Sequence, residues 1–94
     1  MTQYMQHQER LKGVLLNVSQ AINELNQARE DAAKAQISAN PVDRQHAWQK
    51  LEQAERSAEK ARTALLVEAN ESQEQQIKQT LQELEDAMAT ARQF

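Results

Sequence analysis

The chain has 94 residues, a net charge of −3, one glycine, one proline and no cysteine. Its three aromatic residues are Tyr4, Trp48 and Phe94, and alanine, glutamine, glutamate and leucine dominate the remainder, a composition of long helices and coiled coils that excludes appreciable β-structure. Without cysteine there can be no disulfide, no thiolate nucleophile and no cysteine zinc site, in keeping with a cytoplasmic protein.

The charge is unevenly spread. Residues 1–40 carry four basic and four acidic side chains and residues 41–70 carry five of each, whereas residues 71–94 carry two basic and five acidic ones. No basic stripe exists for nucleic acid to follow. No apolar run approaches the length of a bilayer span, and MTQYMQHQER lacks the basic start and apolar centre of a secretion signal, so the expectation is a soluble chain without membrane attachment.

In chain order, residues 1–10 are polar apart from Met1, Tyr4 and Met5, and read as a weak or overhanging extension. Gly13 costs a helix interior roughly 1 kcal/mol relative to alanine. It marks either the start of the ordered bundle or a place where another backbone comes close. From there the spacing predicts a first helix over about 11–38, with a seam of Leu11, Leu15, Val18, Ile22 and Leu25 that shrinks to Ala28, Ala32 and Ala35. Ser38-Ala39-Asn40-Pro41-Val42-Asp43 is the strongest break. Asn40 is placed to cap the next helix, Pro41 suits its first position, and Asp43 complements the helix dipole. A second helix follows over about 41–69, with an inner face of Ala47/Trp48, Leu51, Ala54, Ala58, Ala61 and Leu65. Asn70 as a helix end, and Ser72 with Gln75 as a capping box, predict a second turn. A third helix over 73–93 presents Ile77, Leu81, Leu84, Met88 and Ala91. Glu30–Lys34, Glu52–Arg56 and Glu74–Lys78 are spaced to support their helices from outside.

Folding at 40 and 71 sets the alanines of the second helix against the large residues of the first and third. Where the first helix falls to alanine, Leu51, Trp48 and Phe94 fill the space. Dense cores need this alternation, so the reading is a single all-α domain, an antiparallel three-helix bundle. The alternative is a long helical hairpin that dimerises into a four-helix coiled-coil bundle.

Little chemistry is on offer. Asp43 and His46 are spaced as a possible metal pair, but a site needs three or four ligands and no others are evident. The serines lack a catalytic base, and a single glycine cannot build a phosphate loop. The chain therefore reads as non-enzymatic, with no cofactor and no metal. Trp48 is either a core plug at the wide end of the bundle or an interface anchor. Tyr4 and Met5 in the extension, and Glu83, Glu85 and Asp86 on the acidic last helix, are the remaining candidates for partner contact.

The layout from Ser38 to Ala91 resembles small helical proteins of spore-forming Gram-positive bacteria, a likeness of composition that implies no function. The Asn40-Pro41 turn between two helices is similar to that of needle subunits of type III secretion systems, although those have a more proline-rich turn and larger apolar residues beyond it. Size and acidity also resemble those of phage-encoded inhibitors and small bacterial regulators. The expectation is a protein that acts by binding another protein, as adaptor, regulator or inhibitor. The alternative is a homo-oligomeric structural or secretion-associated component. Val14, Leu16, Ile37, Leu66 and Val67 are the apolar residues that a monomeric bundle would leave outside.

Overall fold

A computed structural model describes the backbone of residues 2–71 and 75–93, and the side-chain surroundings of residues 9–68 and 75–93. Three helices follow in order: α1 (Thr2–Gln36), α2 (Pro41–Glu71) and α3 (Gln75–Arg92). Each contacts the other two, and the chain is a three-helix bundle with principal extents of 59 × 20 × 14 Å.

The first turn forms for the reasons that its residues suggest. Asn40 Oδ1 accepts from the Val42 N–H at 3.0 Å, satisfying one of the open amides of α2. The Asn40 N–H donates to Ser38 Oγ at 3.1 Å, and Ser38 Oγ donates to Asp43 Oδ2 at 3.2 Å. The Ser38 N–H closes α1 onto the Ala35 carbonyl. The second boundary differs in detail. Backbone helix passes through Asn70 to Glu71, with no left-handed residue among the described residues, so Asn70 does not end α2 in that conformation. The proposed Ser72 cap lies outside the described residues.

At the other end, α1 runs as one continuous helix from Thr2 through Gly13, so residues 2–10 extend the first helix. A Cβ added at Gly13 would meet nothing within 4 Å, so no neighbouring backbone requires this glycine.

The core departs from the expected seam in an instructive way. Leu11, Val18, Ala21, Leu25, Ala28, Ala32 and Ala35 are buried on α1, while Leu15 and Ile22 are only partly buried at its edge. A helix with two neighbours needs a broader stripe than a two-stranded seam provides. Ala21, Ala28 and Ala35 face α2, sharing surface clefts with Ala61, Ala54 and Ala47 respectively. The partly buried Leu15 and Ile22 flank the other side of the stripe. On α2, Leu51, Ala58 and Leu65 complete the core, and α3 adds Ile77, Leu84, Met88 and Ala91, with Leu81 partly buried. The α2 stripe continues to Glu68, which is 5% exposed, the one buried charged residue among the described residues.

The expected i,i+4 ion pairs Glu30–Lys34 and Glu52–Arg56 are not among those formed by the described residues. Two ion pairs instead clamp α3 to α2: Arg62 Nε to Glu85 Oε1 at 3.3 Å, and Arg92 Nη2 to Glu59 Oε1 at 3.2 Å. These groups are half exposed, so each pair contributes no more than about 1 kcal/mol; what they fix is register.

Candidate functional site

The two clamps show where α3 ends along α2. Arg62 pairs with Glu85 and Glu59 with Arg92, so Arg92 lies part-way along α2. About three turns of α2, from Pro41 to near Leu51, extend past the described end of α3 together with the last turns of α1. This is a two-helix arm closed by the Ser38–Asp43 turn.

Five large apolar residues are exposed among the described residues: Leu16, Ile37, Val42, Trp48 and Val67. Three of them, Ile37 at 89%, Val42 at 52% and Trp48 at 45%, are on the arm. They point in different directions. Ile37 continues the exposed α1 row Leu16–Asn23–Glu30, and Val42 begins the exposed α2 row Val42–Gln49–Arg56. Trp48 shares its row with Glu55 and Arg62, the row that meets α3 lower down. The arm therefore carries an apolar residue on each of three sides. Trp48 is half exposed, and Phe94, the residue expected to share its core-plug role, lies outside the described residues.

A second feature is the face of the α1/α2 pair turned away from α3. Three shallow clefts follow one another along it, and no lining residue comes from α3. Their floor is the row of paired alanines. Their walls are polar: Glu24, Asp31 and Lys34 are the charged groups on the α1 side, and Asp43, Lys50 and Lys60 those on the α2 side.

The other expected contact residues are scattered. Tyr4 and Met5 fall within α1, and their side chains lie outside the described residues. Glu83 and Asp86 are exposed on α3, Asp86 accepting from Gln82 Nε2 at 2.9 Å. Glu85 is held by Arg62 and serves the α2–α3 clamp. Val42 escaped sequence reasoning; the signal was a β-branched apolar residue directly after a capped proline, where a polar one would serve the helix as well. The Asp43–His46 pair lines one cleft, with Asp43 engaged by Ser38, and no group of three or more possible metal ligands occurs among the described residues. No helix of those residues is long and apolar enough to cross a membrane.

Comparison with protein-family models, with curated proteins and with solved structures finds no match for this chain.

Proposed function

We propose that the chain is a non-enzymatic binding protein of the cytoplasm, an adaptor, regulator or inhibitor whose two-helix arm enters a socket on a larger protein. The observation that carries this reading is the concentration of exposed Ile37, Val42 and Trp48 on the arm. Exposed single apolar residues are ordinary on a protein surface. Three around one projecting end, above a turn held by its own hydrogen bonds, are suited to a concave partner that surrounds the end. Tryptophan is also the residue type most enriched where binding energy concentrates.

The test is capture by the immobilised chain from a cell extract, run beside an Ile37→Asp/Trp48→Ala variant and a Glu83→Lys/Asp86→Lys variant. A protein retained by the wild type and the α3 variant, and lost from the arm variant, is the expected result. Loss only from the α3 variant would move the contact to the acidic helix. Retention of nothing by the wild type would remove the binding reading. A second reading, a homo-oligomeric component, draws its support from the charges along the α1/α2 face.

A further inference from the structure

We infer that the face of α1 and α2 turned away from α3 pairs with the same face of a second copy of this chain. This goes beyond the arm reading, which concerns a different surface and a different protein.

The six charged side chains that line the clefts are ordered by sign along the face. At the level of the first cleft, Glu24 stands on the α1 wall and Lys60 on the α2 wall. One cleft further, Asp31 stands across from Lys50, and at the turn Lys34 shares a cleft with Asp43. None of these six belongs to an ion pair of the described residues.

Two copies can meet face to face about either of two two-fold axes. An axis running along the groove lays α1 of one copy over α2 of the other at the same height. Glu24 then meets Lys60 of the second copy, Asp31 meets Lys50, and Lys34 meets Asp43. Symmetry repeats each pair, and every charged side chain lining the clefts gains an opposite one. An axis across the groove at the middle of the face, near Gln27 and Ala54, lays α1 on α1 and α2 on α2, setting Glu24 against Asp31 and Lys50 against Lys60 of the second copy. The charge order therefore selects the first axis. The buried alanine floor raises no side chain that would hold the walls apart.

The face is modest in size. About 25 Å of helix from Asn17 to Lys34, two helices wide, covers roughly 500 Å² per chain, so a pair buries about 1,000 Å², the lower bound of specific interfaces. With polar walls, the pairing is weak and carried by electrostatics. Its dissociation constant is expected in the micromolar range.

Sedimentation equilibrium from about 5 to about 500 µM tests it. The expected result is a rise from monomer to dimer mass in low salt. The dissociation constant should weaken at least about tenfold at about 1 M salt, where screening acts over roughly 3 Å. Lys50→Glu should weaken pairing by a similar factor, and Asp31→Lys/Lys50→Glu should recover it, with circular dichroism confirming that both variants are helical. Geometry is read separately, because the chain contains no other thiol. Gln27 and Gln53 line the same cleft, so chains carrying Gln27→Cys and chains carrying Gln53→Cys, mixed and oxidised, should cross-link to each other in preference to themselves. A monomer at every concentration overturns the pairing and leaves the arm reading standing. Preferential Gln27→Cys self-linkage overturns the axis, and a dimer indifferent to Lys50→Glu overturns the face.

Discussion

The bundle has two regions built on different terms. Along most of its length α3 lies against α1 and α2, and the core there alternates Leu25, Leu65 and Leu84 with Ala58 and Ala61. On the arm only two helices remain, and they meet through Ala32, Ala35 and Ala47 with Leu51 at the junction. A buried methyl removes little apolar surface from water, so packing on the arm contributes far less per turn than packing in the three-helix section. The arm's order rests more heavily on local chemistry, namely the Asn40 cap, Pro41 at the first helical position and the Ser38–Asp43 hydrogen bond. One region holds the chain folded; the other is held in shape by its turn and has its large apolar residues outside.

The comparison can be broken most forcefully in the core. Leu84→Ala empties the centre of the three-helix section, where Leu84 is fully buried. It should cost about 2–5 kcal/mol, read from the midpoint of denaturant unfolding. A small domain has only roughly 5–10 kcal/mol to lose, so this variant should be partly unfolded at ambient temperature. On the arm, the largest single effect should come from the turn. Asn40→Ala removes the acceptor of the Val42 N–H and should cost about 1 kcal/mol. Amide hydrogen exchange should quicken first in the opening turns of α2. Equal quickening throughout α2 would show that the arm and the bundle open as one unit.

The three-helix bundle and its first turn could be read from the chain; the arm could not, and the failures have physical causes. The Ser38–Asp43 turn was plain because capping is local: the residues that make its hydrogen bonds are neighbours in sequence. The alternation of size between α2 and its neighbours also identified a bundle in place of a hairpin. Leu15 and Ile22 pack against the core as their spacing implies, but at its edge, because a four-three repeat does not reveal which of two neighbouring helices a residue faces. Trp48 was ambiguous because its exposure depends on where α3 stops along α2. That stop is visible only once Arg62–Glu85 and Glu59–Arg92, pairs separated by more than twenty residues, are seen to meet. Glu68 is buried although it is a carboxylate, because it occupies the next position in the Ala47–Ala54–Ala61 row. Of the contact candidates, Trp48 was visible by its rarity; Val42 was hidden beside a stronger feature, the cap.

Two further substitutions separate what the fold needs from what it merely carries. Gly13→Ala should stabilise the chain by about 0.5–1 kcal/mol, since α1 is regular there and the added methyl meets nothing. A loss of stability would mean that the start of α1 is less regular than its hydrogen-bonded length implies.

The smallest effect should come from Ile37→Ser. This side chain is 89% exposed, beyond the last turn of α1, and it lies outside the buried core. Surface substitutions away from packing, caps and buried polar groups usually change stability by less than about 0.5 kcal/mol. Thermal melts of the two proteins should therefore coincide. An isoleucine that can be replaced by serine at no cost to the fold leaves its side chain available to the socket of the arm reading. A marked destabilisation would instead place Ile37 against the bundle in solution, and the arm would lose one of the three residues that make it a candidate site.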